Sequence, residues 1–253
     1  MTGHPGSLFF PMSDPSPDLP RPAAFCDQYR FPPGSFDEMC SGAGRLRPHW
    51  EYPMQALGAL GPAGLQARHR EAHRLIRENG VTYTVYGDPQ GAERSWELDL
   101  IPLLVTSEEW APIERGLIQR AELLNLLLQD IYGPQTVLRK GIIPPTIIFG
   151  HPGYLRACAG ITPRNNRFLP LYAADLVRTP DGGLCVLGDR AQAPSGAGYA
   201  LETRIVSSRV LPSLFRDANV HRLAGFFRVM RSTLAGLAPG GKPQLTTTVR
   251  MSR

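Results

Sequence analysis

The chain has no apolar run long enough to form a membrane-spanning helix and no basic stretch followed by an apolar segment near its start. Neither a helical span nor a secretory signal is therefore expected, and the expected location is the cytoplasm. Cysteine is scarce and never at Cys-x-x-Cys spacing: Cys26, Cys40, Cys158 and Cys185 stand far apart. No zinc or redox dithiol motif follows from them, and reduced thiols are expected. Lysine is almost missing too. Only Lys140 and Lys242 occur, so the net charge of +5 is carried by arginine. Phosphate neutralisation by a nucleic-acid binder is one reading of such a charge. The arginines, however, are spread along the chain without interleaved aromatics, as in a sequence where Arg, Ala, Gly and Pro are all abundant. Nucleic acid is not the expected partner.

What is present is a globular composition, 42% hydrophobic over 253 residues, enough for one sizeable core or two small ones. Residues 1–35 are rich in Pro and Ser without apolar periodicity and read as a flexible or draped arm. Residues 36–240 carry the folded pattern, and 241–253 read as a polar tail. Met54 to Asn79 is helical in pattern, interrupted near Gly61-Pro62, and stops at Gly80 as a glycine beyond a helix end would. Val81 to Tyr86 alternates β-branched and aromatic residues and predicts a strand, with a turn at Gly87–Gly91 and a returning strand from Glu93 to Leu98. Thr106 and Glu109 have capping-box spacing, ahead of a helix whose apolar face is Ile113, Leu117, Leu124, Leu127, Leu128 and Ile131. Gly133-Pro134 ends it. Arg139 to Phe149 is apolar and proline-interrupted and reads as buried. Helices are expected over Leu201–Phe215 and Val220–Leu237, the second with a stripe of Val220, Leu223, Phe227, Met230, Leu234 and Leu237.

The segment between these helices and the earlier ones carries the chemistry. Leu171 to Arg204 reads as two strands joined by Pro180-Asp181-Gly182-Gly183, then a small-residue loop, then a helix start. Asp175 lies in the first strand, and Asp189 and Arg190 near the end of the second. The loop Ala193–Gly198 places small residues, among them Ser195, Gly196 and Gly198, ahead of a helix whose N-terminus favours an anion. An ordinary capped tight loop is the alternative.

Four groups of residues in this order are similar to one family. They are Phe36–Met39 with Gly44–His49; Val81–Asp88; Leu126–Gly133; and Asp175–Arg178 with Val186–Arg190 and Ala193–Gly196. Together they resemble the circularly permuted ATP-grasp proteins of type 2, whose relatives include glutathionylspermidine synthetase-like amide ligases. The resemblance covers about Phe25 to Leu237. It implies an α+β, ATP-grasp-like fold of antiparallel strand pairs packed by helices. It also implies an ATP-dependent ligase in which ATP phosphorylates a carboxylate and an amine attacks the acyl phosphate. ATP and Mg²⁺ would be the cofactors, and small-molecule or peptide acids and amines the substrates. By the same resemblance the chain is expected to be the N-terminal part of such a domain, incomplete by itself, so a partner chain completing the cleft is expected.

In that family the metal ligands come from the acid of the Asp-Leu-Val-Arg strand and a Glu-x-Asn pair on the next. Asp175 matches the first. Gly188 stands at the Glu position and Arg190 at the Asn position. Either Asp189 turns inward by a one-residue slip and joins Asp175 as a metal ligand, or Arg190 fills the metal's place and pairs with Asp175, giving a non-catalytic binding subunit. The short turn favours the second. Among other candidates, His69 and His73 stand i, i+4 but amid Arg68, Arg70 and Arg74. His151 opens a Pro-Gly turn. Asp37-Glu38 with Arg45, Arg47 and His49 read as a salt-linked loop rather than a ligand mouth.

Overall fold

The longest helix, α1 (Pro48–Glu78), is broken in its middle by Gly61, whose φ of 63° and ψ of 175° no helix accommodates. Pro62 follows at the start of the second half, where its missing N–H costs nothing. The structure, a computed structural model, describes Tyr29, Arg30 and residues 32–42, 44–84 and 93–238. The arm, the polar tail and the Gly87–Gly91 turn lie mostly or wholly outside the described residues.

At the end of α1, Gly80 takes a left-handed φ of 67°. The N–H of Val81 then returns to the Ile76 carbonyl at 3.1 Å, closing the helix and launching β3 (Thr82–Thr84). β3 pairs antiparallel with β4 (Glu93–Ser95), shorter than the strand expected to Leu98. Beyond it, Leu98 and Leu100 still turn into the core. That core joins Leu57, Ala72 and Ile76 of α1, Val81, Leu98 and Leu100, and Val206, Val210 and Leu211 of a later helix and its end. Ala72, Ile76 and Val206 are completely buried. A short pair ahead of α1, β1 (Cys40–Gly42) with β2 (Arg45–Leu46), completes the N-terminal part.

Helix α2 (Ser107–Tyr132) starts where its cap predicts: the Thr106 hydroxyl accepts from the Glu109 N–H at 3.2 Å. The Glu109 carboxylate does not close the box and is bonded to Arg178. At the other end the Asp130 carboxylate accepts from the N–H groups of Thr136 and Val137, each at 2.9 Å. It thereby caps α3 (Thr136–Arg139), and these bonds hold its own carboxyl below the usual range. Within the Asp130–Gly133 motif, the aspartate is structural. A short helix α4 (Pro145–Phe149) comes after it.

The expected burial of Arg139–Phe149 does not hold. Ile142 and Ile147 are 68% and 61% exposed, and Phe149 is exposed too. Apolar composition shows what could be covered, and no described segment lies over this one.

The Leu171–Arg204 region forms β5 (Ala173–Arg178), β6 (Leu184–Arg190) and α5 (Ala197–Val210). α5 begins four residues earlier than expected, so Gly198 belongs to its first turn and not to the loop. It also ends earlier, because Pro212 bars helical geometry at Leu211, where φ is −128° and ψ 57°. Next come α6 (Pro212–Asp217) and α7 (Ala224–Leu237), whose apolar stripe is half-buried and includes no fully buried residue. Three separate antiparallel strand pairs packed by helices make this an α+β fold.

Candidate functional site

β5 and β6 pair with an irregularity that decides where every polar group points. From the turn the register runs Arg178↔Leu184, Val177↔Cys185, Leu176↔Val186, then jumps to Asp175↔Gly188, Ala174↔Asp189 and Ala173↔Arg190. Leu187 is the extra residue, 77% exposed. Such a bulge reverses the alternation of side chains along one strand. Gly188 and Arg190 therefore share the face of Asp175, and Asp189 points to the opposite face.

The inner face looks toward α2. There Asp189 receives the Arg120 guanidinium in a two-pronged bond, Nε to Oδ1 and Nη2 to Oδ2, both 2.7 Å. The Tyr172 hydroxyl adds a third bond at 2.6 Å. Arg120 first, then Tyr172, holds the Asp189 carboxyl down at about 2, while burial and the same carboxylate raise Tyr172.

Arg178 lies on this face as well, 13% exposed. It donates to both Glu38 oxygens at 2.7 and 2.9 Å, to the Gly182 carbonyl at 2.9 Å and to Glu109. Two guanidiniums lie over the Phe36 ring, that of Arg47 at 4.0 Å and that of Arg178 at 4.8 Å from its centre. Asp37 receives the Met39 and Cys40 N–H groups and the Tyr29 hydroxyl, and Arg47 donates to its carbonyl. The Asp37–His49 segment is thus a bonded loop, tied to β5 through Glu38.

On the outer face Arg190 reaches Asp175: Nε lies 3.2 and 3.0 Å from its two oxygens, and Nη2 lies 3.0 Å from Oδ2. Both side chains are open, 61% and 48% exposed. A Cβ built on Gly188 would sit 3.8 Å from Asp175 Oδ2, so position 188 looks directly at the carboxylate and offers it nothing. The structure thus brings Asp175 and Arg190 together and leaves Asp189 on the other face, but by a slip and not by a fixed register: counted in step from the turn, Asp189 would share the face of Asp175, and the bulge at Leu187 exchanges it for Arg190.

Beyond β6 the chain turns through Ala193, with φ of 43°, and Gly196, with φ of 105°. Gly196 caps α5 without any side-chain bond. The first intrahelical bond here is Ala200 N–H to Gly196 carbonyl, so the N–H groups of Ala197, Gly198 and Tyr199 are left without an intrahelical acceptor. A Cβ at Gly196 would meet nothing within 4 Å, so the loop is open to approach. α5 itself is fixed from behind: the Tyr199 hydroxyl donates to the Thr82 carbonyl at 2.7 Å, and its ring centre lies 4.6 Å from that of Trp96.

Elsewhere, the Nε2 atoms of His69 and His73 meet at 3.0 Å. Among the described residues no three His, Cys, Asp or Glu side chains converge as a metal site would require, and no helix is long and apolar enough to cross a membrane. Sequence reasoning missed Arg120 and Tyr172 as the groups holding Asp189, and Glu109 as a partner of Arg178. Each of these pairs except Tyr172–Asp189 spans 69 residues, beyond any local signal.

Comparison with known proteins gives this arrangement a context. The family model described as circularly permuted ATP-grasp type 2 matches residues 102–252. An uncharacterized protein of Mycobacterium tuberculosis is 37% identical over 216 residues, 82% of this chain and 24% of that protein. An uncharacterized protein of Synechocystis is 36% identical over 210 residues, 83% of this chain and 44% of its own length. A Frankia alni protein named "Putative glutamate--cysteine ligase 2-3" is 35% identical over 212 residues, 83% of this chain and 24% of its own. The chain spans about a quarter of the mycobacterial and Frankia relatives and under half of the cyanobacterial one.

Proposed function

The chain belongs to the circularly permuted ATP-grasp type 2 family, and from that premise we propose that it serves an ATP-dependent ligase joining a carboxylate to an amine. In such a reaction the γ-phosphoryl group passes to a carboxylate oxygen as ADP leaves. The amine nitrogen then takes the acyl carbon and phosphate departs. The contribution proposed for this chain is to bind the nucleotide phosphates, in the cytoplasm where the expected substrates reside.

One observation carries this reading. The exposed Arg190 and the three uncapped N–H groups at the start of α5 belong to consecutive segments, joined by an open small-residue loop. Backbone donors and a guanidinium are what a phosphate needs. The Asp175–Arg190 pair is no obstacle, because water-screened ion pairs part at little cost. Ser195, Gly196 and Gly198 would line the phosphate, and Arg190 would neutralise it.

Proteins of this family use Mg²⁺, but the residues present here do not fit it. Mg²⁺ requires several oxygen ligands. The outer face offers Asp175 alone, covered by a guanidinium, opposite a glycine, with Asp189 held by Arg120 behind the sheet. This donor set favours a second reading, a subunit that binds nucleotide without turning it over.

Calorimetric titration with ATP, with and without Mg²⁺, tests both. The expected result is binding that needs no Mg²⁺, weakens about tenfold in Arg190→Gln and survives in Asp175→Ala. Mg²⁺-dependent binding abolished by Asp175→Ala would instead make Asp175 a metal ligand. No binding under either condition would overturn the nucleotide reading. Adding glutamate and cysteine, the substrates in the Frankia relative's name, and following ADP separates turnover from binding alone.

A further inference from the structure

A concave surface lies away from the β5–β6 face, between α5, α6 and the start of α7. It is an open groove of about 750 Å³. Ile205, Phe215 and Leu223 make its apolar floor, and Arg204, Arg216 and Arg222 stand around it. Among the described residues that line it there is no carboxylate. The three cations converge although they come from three different segments, because α5 turns sharply into α6 at Leu211-Pro212 and the chain turns again at Asn219, with φ of 49°.

The arginines differ in availability. Arg216 donates to Asp217 at 2.9 Å, a carboxylate that also receives the Tyr52 hydroxyl at 2.7 Å. Arg204 and Arg222 have no hydrogen-bond or ion-pair partner among the described residues. For Arg204 this matters more, since it is half-buried. Two unpaired guanidiniums on the wall of one groove are free to take charge-assisted bonds from an anionic ligand. An apolar floor sharpens the effect, because charges interact more strongly where water is partly excluded.

We infer that this groove binds a small molecule bearing at least two carboxylate or phosphate groups, held by Arg204 and Arg222 with Arg216 in support. The inference stands independently of the nucleotide reading, since it uses none of the same residues.

The test is a titration of the full chain with citrate and, separately, with pyrophosphate, at low and moderate salt, in an Arg190→Gln background that removes the guanidinium of the β5–β6 face. Saturable binding of either probe is expected, weakened about tenfold or more by Arg204→Gln with Arg222→Gln. The same binding should be unchanged by Arg209→Gln with Arg228→Gln, two exposed arginines outside the groove. Preference for citrate or pyrophosphate then identifies the ligand as carboxylate or phosphate. Circular dichroism melts check folding. If the double variant is unstable, Arg222→Gln alone, at an exposed position, should still weaken binding several-fold. Absence of saturable binding, or equal weakening by the control pair, would overturn the inference.

Discussion

Replacing Asp189 with asparagine removes a carboxylate that the fold holds in its ionised form, and the loss should depend on pH in a defined direction. Its folded value is about 2, against about 3.9 for a free aspartate. A depressed folded value contributes stability above the unfolded value, and that contribution fades as pH falls toward the folded one. The wild-type chain should therefore exceed Asp189→Asn in urea midpoint at pH 7 and 5, and the gap should close between about pH 4 and pH 2. A gap that stays constant would mean that Arg120 and Tyr172 do not hold the carboxylate. Asp175 and Arg190 form a pair of the same kind, but an open one. What separates them is the bonding: Asp189 has a two-pronged guanidinium and the Tyr172 hydroxyl, and Asp175 has Arg190 alone.

At the scale of elements, the β5–β6 turn is a junction. Gly182 has φ of 88°, and a Cβ there would lie 2.5 Å from the Phe36 ring. That ring is stacked against Arg47 and Arg178, and Arg178 binds Glu38 and Glu109. Gly182→Ala should cost about 1–3 kcal/mol from backbone strain and the displaced ring. Denaturant melts would show it, and a loss under about half a kcal/mol would mean that Phe36 yields freely. Elements were unevenly legible in the sequence. Thr106 and Gly80 marked helix ends correctly because caps are local chemistry. Gly61-Pro62 marked the break in α1 for the same reason. The start of α5 was missed by four residues, since Gly196 caps it with backbone alone and leaves no polar side-chain signal. The bulge at Leu187 was not legible at all: it is a property of two strands counted against each other. For the candidate site, the pairing of Asp175 with Arg190 was among the alternatives the sequence offered, whereas Arg120 as the partner of Asp189 was hidden by sequence distance.

Over the whole molecule, apolar surface is generous. Leu103, Ile142, Ile147, Leu126 and Val229 are each more than half exposed, and Ile118, Leu123, Leu155 and Ile161 join them. Exposed apolar side chains in this number offer binding sites for an apolar dye. The native chain at pH 7 should therefore enhance the fluorescence of an anilinonaphthalene sulfonate dye before any unfolding. Enhancement only at the denaturation midpoint would show that this surface is covered in solution. The core is small beside that surface, made of two helices and one short strand pair with its flanking leucines.

The extra residue in β6 also changes which positions along that strand a ligand on the outer face can reach. Between the turn and Leu187, odd positions look outward, as Cys185 does; beyond it, even positions do, as Gly188 and Arg190 do. Counting outward positions in twos from the turn would land on Asp189, an anchor on the inner side, and skip Arg190. The outward set on β6 is therefore read from Asp175 across the ladder, with parity reset at residue 187.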